Sequence, residues 1–183
     1  MLVTLVERAR GGDNAAFREL VELEADRCFA IAYRIVRDYD RARDAVQRAL
    51  LSAWRDFPQL RDSNRFEPWL YRLLVRACWD ERRRVRAWTE RVAHIDIEPT
   101  DGADFTVTVA QQDALERAFA RLSMPHRTVI VLHHHAGLPM QAIADIVGAP
   151  VGTVKSRLHH ATQALRVALE ADDRVDIPEG RLA

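Results

Sequence analysis

The 183-residue sequence lacks a long apolar run and holds only two cysteines, seven glycines and seven prolines. A membrane-spanning helix needs about 20 consecutive apolar residues, and no segment approaches that length. The stretch after Met1 is amphipathic and includes Glu7 and Arg8, unlike the apolar core of a signal peptide. We therefore expect a cytoplasmic protein without membrane insertion. Because glycine and proline are sparse, we also expect long helices.

The sequence also lacks the clustered residues of a metal or catalytic site. Cys28 and Cys78 lie in apolar helical contexts without CxxC or Cys/His spacing, so free buried thiols are favoured over a disulfide or a zinc site. The consecutive histidines 133–135 point in different directions on a helix and cannot converge on one ion, and His126 has no partner at ligand spacing. No Ser/His/Asp set, carboxylate pair or Gly-rich phosphate loop stands out. We predict no metal, no cofactor and no enzymatic activity.

The formal net charge is zero, but the charges are segregated along the chain. Residues 61–91 carry nine arginines against five acids, and residues 117–171 carry six bases against two acids. Residues 95–116 hold six acids and no base, and the last twelve residues are acidic by two charges. This pattern predicts two basic modules joined by an acidic connector, and basic modules favour nucleic-acid binding.

Helical periodicity divides the first module into four predicted helices. Asp13 is placed to cap the second, Asp38 or Asp40 the third, and Asn64 with Glu67 has the spacing of a capping box for the fourth. The apolar positions, which include Leu23 and Trp54, are expected to face the core. The predicted helices span about residues 2–10, 13–37, 38–57 and 64–86.

We predict an all-α fold of two small helical domains joined by a flexible acidic linker. The segment from Thr89 to Ala110 contains Pro99, Gly102 and scattered acids without helical period, which is typical of a linker. The predicted division is a first domain over 1–88, a linker over 89–110, a second domain over 111–171 and an acidic tail over 172–183.

The stretch Met140–His160, MQAIADIVGAPVGTVKSRLHH, predicts a helix-turn-helix. Ala144 is a small residue where the two helices touch, Gly148 can take a positive φ in the turn, and Val154 anchors the second helix. That second helix should lie in a DNA major groove.

The exposed face of the second helix carries side chains suited to phosphates and base edges. The candidates for duplex contact are Gly152, Thr153, Lys155, Ser156, Arg157, His159 and His160. An ordinary solvated helix surface is the alternative interpretation, because look-alike motifs occur in helical proteins that bind no DNA.

Two separated segments resemble one family. Residues 13–86, with DRARDAVQRALLSAWRDF and FEPWLYRLLVRACWDERRR, are similar to region 2 of the extracytoplasmic-function (group 4) sigma factors of bacterial RNA polymerase. Residues 115–169, with RLSMPHRTVIVLHHHAGLPMQAIADIVGAPVGTVKSRL, are similar to region 4 of the same sigma factors. The resemblance implies a sigma factor that directs promoter-specific initiation.

For the partners, the resemblance implies core polymerase, through its beta-prime clamp and beta flap, together with promoter DNA and an anti-sigma protein. In the family, a D-x-x-Q pattern on the third helix docks on the clamp, and it maps here onto Asp44 and Gln47. The family usually has an acid after the Gln, whereas this chain has Arg48 at the predicted contact. A solvated polar face is the alternative interpretation of these side chains.

The loop at residues 61–65 and the following helix correspond to the part of the family that handles the minus-ten element as a single strand. Asp62, Ser63 and Asn64 are candidate groups of a base pocket. Trp79 is the preferred stacking candidate, ahead of Trp69 and Tyr71, because the apolar stripe of Trp69 favours core packing. Candidate cationic contacts are Arg61, Arg65, Arg72, Arg76, Arg82 and Arg83. At Arg76 the family commonly has Asn.

Three alternatives stay open at this point. The acidic connector is either a mimic of the RNA backbone in the polymerase channel or a plain flexible tether. The whole chain is alternatively a stand-alone helix-turn-helix transcription regulator, which would leave the WLYR segment unexplained. The third alternative is a helical protein-interaction module. It is supported only by the differences from the family pattern at Arg48 and Arg76.

Overall fold

The computed structural model describes residues 1–92 and 110–175, and over these ranges the chain forms helices and turns without any strand. The α-helices are α1 Leu2–Arg10, α2 Asn14–Val36, α3 Tyr39–Asp56, α4 Phe66–Val92, α5 Ala110–Arg121, α6 Met124–Ile130, α7 Met140–Val147 and α8 Val151–Val175. We call residues 1–92 the first module and residues 110–175 the second module. The predicted all-α fold with two helical domains is confirmed.

Two predicted helix caps are present in the first module. Asp13 Oδ1 accepts hydrogen bonds of 3.0 Å from the backbone N–H groups of Ala15 and Ala16, so it caps α2. Asp38 Oδ1 accepts a bond of 2.9 Å from the N–H of Arg41, and therefore Asp38 rather than Asp40 caps α3. These local bonds satisfy amide groups that have no partner inside the helix.

The predicted capping box at the start of α4 is wrong. Asp62 Oδ1 accepts a bond of 2.9 Å from the N–H of Asn64, and residues 63–65 form a 3₁₀ turn that leads into the helix. Glu67 instead accepts a bond of 2.7 Å from the Arg27 guanidinium. An Asp two residues before the amide forms this local turn without help, which leaves Glu67 free to pair with a distant arginine.

The core of the first module lies between α2, α3 and α4, with α1 packed on α2. Leu20 and Ile31 of α2 and Leu70 and Leu74 of α4 are at most 1% exposed. α3 presents small side chains to the core, which lets the neighbouring helices approach closely. The small residues are Ala42, Ala45, Ala49 and Ala53.

Two side chains that were predicted to face this core are exposed. Leu23 is 55% exposed, and the neighbouring Glu24 is buried on α2 at 6% exposure. Trp54 is 50% exposed, because only part of its ring packs, edge to face and 4.9 Å between centroids, against Phe17. Helical periodicity assigns a residue to one face of a helix only to within about a third of a turn. It therefore does not decide whether residues at the edge of the apolar face, such as Leu23 and Trp54, are buried or exposed.

Both modules extend beyond their predicted ends. α4 continues to Val92, beyond its predicted end near Arg86, and α8 continues to Val175, beyond the predicted start of the acidic tail at Asp172. Residues 93–109 of the predicted linker and residues 176–183 of the predicted tail lie outside the described residues. The division at residue 88 stays a prediction.

The second module packs α5 and α6 against α8, and α7 against both α8 and α4. α6 continues into a π-helical turn, Val131–His135, before the chain turns at Gly137, which has φ +70°. Val129, Leu132, Ile143 and Val154 are fully buried. The module is therefore a compact helical unit whose last helix, α8, presents one side to solvent.

The two modules are docked on each other and share one hydrophobic core. Among the described residues, hydrogen bonds between the modules include those from Arg27 to the Ala136 carbonyl (3.2 Å), from Arg127 to the Ile35 carbonyl (3.0 Å) and from Trp79 to Thr128 (3.3 Å). Ion pairs between them include Arg65–Asp145 (3.2 Å) and Arg37–Glu116 (2.5 Å). Each of these contacts joins residues far apart in sequence, so no local pattern predicts them.

None of the helices in the described part of the chain is long and apolar enough to cross a membrane.

Candidate nucleic-acid interface

The turn between α7 and α8 has the geometry that the sequence predicted. Gly148 ends α7 in the left-handed conformation, with φ +65° and ψ +41°, and its N–H donates to the Ala144 carbonyl. A Cβ on Gly148 would meet no atom within 4 Å, so glycine is favoured here by the backbone conformation and not by lack of space. Ala144 is 5% exposed and Val154 fully buried, where the two helices meet.

One side of α8 is buried in the second module and the other faces solvent. Val154 and Ala161 are buried, with Val151, Leu158 and Leu165 partly buried along the same stripe. The predicted duplex contacts lie on the remaining surface. Gly152, Lys155, Ser156, His159 and His160 are exposed, and Thr153 and Arg157 are half-buried. The cations and hydroxyls of this face are therefore accessible to a ligand.

Ser156 differs from its neighbours because its hydroxyl is already engaged. Its Oγ donates a bond of 3.0 Å to the Thr153 carbonyl in the preceding turn. The oxygen lone pairs stay available, so Ser156 can accept a bond from a base amino group without breaking the internal one. Lys155 and Arg157 on either side supply donors only.

The loop before α4 is more compact than a base pocket requires. The Asn64 side chain donates to Asp62 Oδ1 at 3.2 Å, so the two predicted pocket groups are bonded to each other. Ser63, the third, is buried at 8% exposure and is therefore little accessible to a base. Arg61 and Arg65 are exposed at the ends of the loop, and Arg65 reaches Asp145 of α7. In this arrangement the loop can therefore contact a nucleic acid through its arginines, but it does not form an open pocket for a base.

Exposed arginines follow one face of α4. Arg72, Arg76 and Arg83 recur at intervals of four and seven residues, which places them on the same side of the helix. All three are exposed, and Arg83 lies 3.9 Å from Asp80 in a largely solvated pair. Arg82 is also exposed, but it lies at the cleft between the modules. The stripe formed by Arg72, Arg76 and Arg83 can therefore contact successive phosphates of a nucleic-acid strand.

None of the aromatic stacking candidates on α4 is freely exposed. Trp69 packs edge to face against Phe57, 5.7 Å between ring centroids, as its apolar stripe favoured. Tyr71 is fully buried, which excludes it as a stacking surface in this arrangement. Trp79 is partly buried, and its indole N–H donates to Thr128 Oγ1 of the second module at 3.3 Å.

Asp44 and Gln47 are exposed on α3, as a docking contact requires. Arg48, in contrast, is turned inward and forms an ion pair with Glu81 of α4, whose side chain is only 12% exposed. The charge of Arg48 is therefore largely compensated within the protein. This pairing accounts for an arginine at a position where the family usually has an acid.

The sequence interpretation missed two apolar residues on the exposed side of α3. Leu51 and Trp54 are 60% and 50% exposed, and they continue the line of Asp44 and Gln47 along the helix. The spacing of three, four and three residues was a readable signal of a shared face. This shared face was missed because Trp54 was assigned to the core and Leu51 was assigned neither to the core nor to the surface.

Histidine and cysteine form no metal centre in the described residues, where no group of three or more potential ligands converges. His134 and His135 are exposed, and the His133 ring nitrogen lies 3.2 Å from the Leu138 carbonyl. Cys28 and Cys78 are free and buried, as predicted. Burial raises the pKa of both thiols to about 12, so they are protonated at neutral pH.

Comparison with known proteins finds matches along most of the chain. The family model described as Sigma-70 region 2 matches residues 20–89, and the model described as Sigma-70, region 4 matches residues 112–165. The chain is 34% identical to the ECF RNA polymerase sigma factor SigL of Mycobacterium tuberculosis, over 90% of this chain and 95% of SigL. It is 28% identical to the ECF RNA polymerase sigma factor SigW of Bacillus subtilis, over 92% of this chain and 97% of SigW.

Solved structures with the same fold are also found. The sigma factor RpoE of Bartonella quintana, in complex with the anti-sigma factor NepR, superposes with a TM-score of 0.72 at 24% identity, covering 85% of this chain and 98% of that one. CnrH, in complex with the cytosolic domain of CnrY, gives a TM-score of 0.66 at 25% identity, covering 93% of this chain and 98% of CnrH.

Proposed function

Since this chain belongs to the extracytoplasmic-function sigma factors of the sigma-70 family, we propose that its two modules divide the work of a sigma factor between them. The protein is an RNA polymerase sigma factor that directs promoter-specific transcription initiation. The first module is assigned to core polymerase and the minus-ten element, and the second to the minus-thirty-five element. The observation that carries the assignment is the helix-turn-helix of α7 and α8, whose polar face is solvent-accessible.

In this proposal α8 enters the major groove at the minus-thirty-five element. Its first turns carry Thr153, Lys155, Ser156 and Arg157, which are the positions nearest the bases in a recognition helix. Gly152 allows close backbone approach, while His159 and His160 lie further along α8, toward the phosphates. A free helix-turn-helix of this size buries little DNA surface, so most of the affinity must come from polymerase and the minus-ten contacts.

Reconstituted initiation tests the assignment. Start sites of transcripts that appear after overproduction identify the promoter, and run-off transcription with bacterial core polymerase then measures activity. Arg157→Ala should lower promoter-dependent transcription about fivefold or more, the loss expected when about 1–3 kcal/mol of base or phosphate contact is removed. Arg166→Ala is the matched control, because Arg166 is 70% exposed on the same helix and pairs with Glu170. Equal losses for the two variants, or tight promoter binding without polymerase, would contradict the proposal.

We assign the exposed arginines Arg72, Arg76 and Arg83 of α4, together with Arg61 and Arg65 of the loop, to the phosphates around the minus-ten element. Arg82 and Trp79 join them only when the modules separate, because Trp79 is bonded to α6 and Arg82 lies at the cleft. Asp62 and Asn64 are proposed to contact a base after their mutual bond opens, whereas buried Ser63 is assigned to support of the loop. Engagement of the whole set thus requires a rearrangement of the docked chain.

For core polymerase we propose a docking stripe on α3 that consists of Asp44, Gln47, Leu51 and Trp54. An apolar centre with polar groups at its edge is the usual composition of a protein interface. Arg48 contributes indirectly, by holding α3 to α4 through Glu81. The stripe belongs to the free surface of the first module and is accessible in the docked arrangement.

An anti-sigma protein is a further proposed partner, since the Bartonella quintana relative was solved with one. We infer that the protein is not itself catalytic and that it acts in the cytoplasm, where polymerase meets the chromosome. Both inferences rest on the role of a dissociable polymerase subunit.

A further inference from the structure

A cleft of about 340 Å³ opens at the seam between the two modules. Every helix from α2 to α6 contributes to its walls, so the cleft exists only while the modules are docked. Its lining includes Val36, Arg41, Glu81, Arg82, Ser123 and Arg127. None of these residues was assigned to the cleft by the sequence, because they come together only in the tertiary structure.

The walls of the cleft carry more positive charge than the structure neutralises. Arg41, Arg82 and Arg127 come from three different helices, and the only carboxylate among the lining residues is Glu81, which is already paired with Arg48. Arg82 has no carboxylate partner among the described residues. Arg41 pairs at 3.4 Å with Asp38, but both side chains are well exposed and such a pair compensates little.

Of the three guanidinium groups, that of Arg127 is held by hydrogen bonds to two backbone carbonyls. Its Nε donates to the Ile35 carbonyl at 3.0 Å and its Nη1 to the Ala120 carbonyl at 3.1 Å, so carbonyl oxygens orient the group without cancelling its charge. Burial and the nearby charges of Arg37 and Arg82 lower the pKa of Arg127. Arg82 and Arg127 therefore repel each other across the cleft, and an anion between them would relieve the repulsion.

We propose that this cleft binds a small oligophosphate anion through Arg41, Arg82 and Arg127. Guanidinium groups present several N–H donors in a plane and match the oxygen spacing of phosphate. The volume lies at the lower end of the range for ligand pockets, which suits two or three linked phosphoryl groups better than a large organic ligand. A free oligophosphate and the phosphate chain of a nucleotide share this chemistry.

An anion bound at the seam would favour the docked arrangement of the two modules. Because both modules supply ligating side chains, the anion binds the docked arrangement and stabilises it relative to the separated one. Docking holds Trp79 against Thr128 and Arg65 against Asp145. The anion would thus oppose the opening that the minus-ten contacts need, and this last step alone depends on the proposed function.

Calorimetric titration of the full chain with sodium tripolyphosphate tests the site directly, without polymerase or promoter. We expect saturable binding of one anion per chain and an increase of about 5 °C in the unfolding midpoint at a hundredfold excess over Kd. Arg41→Gln should raise Kd at least tenfold and remove most of the thermal shift. A parallel titration with adenosine triphosphate distinguishes the two possible ligands. If adenosine triphosphate binds more tightly than tripolyphosphate, the ligand is a nucleotide. If it binds equally or more weakly, the ligand is a free oligophosphate.

Arg43→Gln is the matched control, because Arg43 is an exposed arginine on the same helix outside the cleft. It removes the same charge and should leave Kd unchanged. Equal weakening by both substitutions would mean a diffuse electrostatic attraction and would overturn the site, as would the absence of saturable binding at millimolar tripolyphosphate. A wild-type chain that scattering finds extended at saturating anion would overturn the link to docking. None of these results bears on whether the chain initiates transcription, so the two proposals fail separately.

Discussion

The indole N–H of Trp79 on α4 donates a hydrogen bond of 3.3 Å to the hydroxyl of Thr128 on α6, and this bond links the two modules through their interiors. Thr128 is fully buried, and its own hydroxyl donates a hydrogen bond of 2.8 Å to the Met124 carbonyl, so its oxygen is fixed in position. The residue that the sequence favoured for stacking on DNA is therefore held by the second module.

Thr128→Val should lower the free energy of unfolding by about 1–2 kcal/mol, because the substitution keeps the shape but leaves the Trp79 N–H without an acceptor. Urea unfolding measures this loss. In a Trp79→Phe background the same substitution should cost at least 0.5 kcal/mol less, roughly the coupling expected of residues in contact. Identical costs in the two backgrounds would mean that the bond contributes nothing to docking.

The ion pair between Arg48 and Glu81 predicts how substitutions at these two residues change the free energy of unfolding. Arg48→Ala leaves a largely buried carboxylate uncompensated and should cost about 1–3 kcal/mol, below the full penalty of a completely buried pair. The exchange Arg48→Glu with Glu81→Arg restores opposite charges across the same gap and should recover most of the loss.

Binding of the exchanged variant to core polymerase then separates an internal role from a docking role. If Arg48 only holds α3 on α4, the double variant should bind core as the natural chain does. A loss of affinity in a stably folded double variant would instead give the charge at position 48 a direct contact with polymerase.

Local patterns predicted the helices of the first module and the caps of α2 and α3, though not that of α4, because the groups involved are close in sequence. Asp13 and Asp38 cap helices through amides within three residues, and Gly148 takes the backbone conformation that its turn needs. The pairing of Arg48 with Glu81 joins residues on different helices, and no periodicity carries that information. The same is true of module docking, where the residues on each side carry ordinary surface or core patterns.

The exposure of the candidate DNA face of α8 could be predicted for a related reason, since a buried stripe at helical spacing defines its exposed complement. The burial of residues in and near the minus-ten candidates was harder to predict. Buried Ser63 and Tyr71 look like surface residues in sequence, and only the packing of α4 against the loop and α2 determines their burial.

The docking stripe on α3 predicts the effect of Leu51→Asp. Leu51 is 60% exposed, so the substitution should leave the fold intact while it removes an apolar contact worth about 1.5–3 kcal/mol when fully covered by polymerase. Affinity for core polymerase should fall at least tenfold in a pull-down or fluorescence titration. Leu23→Asp is the control, because Leu23 is 55% exposed on α2 and lies outside the stripe. A similar loss in both variants would show that any exposed apolar residue matters and would remove the stripe as a specific site.

The buried carboxyl of Glu24 predicts a dependence of stability on pH. Glu24 is 6% exposed, and the Tyr71 hydroxyl lies 3.5 Å from its Oε2. Burial, with a contribution from the nearby Glu67 charge, raises the pKa of Glu24, while Arg27 and the Tyr71 hydrogen bond oppose the change. A carboxyl with a raised pKa stabilises the fold at low pH, and this stabilisation is lost as the pH rises through the raised value.

Glu24→Gln should therefore raise the unfolding midpoint at pH 7, by about 2 °C, since it removes the buried charge and keeps an oxygen to accept the Tyr71 bond. Near pH 4 the natural carboxyl is protonated and the two chains should unfold at the same temperature. Glu22→Gln, on the exposed side of the same helix, controls for the change in net charge and should shift neither midpoint. A lower midpoint for Glu24→Gln at pH 7 would mean that attraction to Arg27 outweighs burial, and the pH dependence would then have the opposite sign.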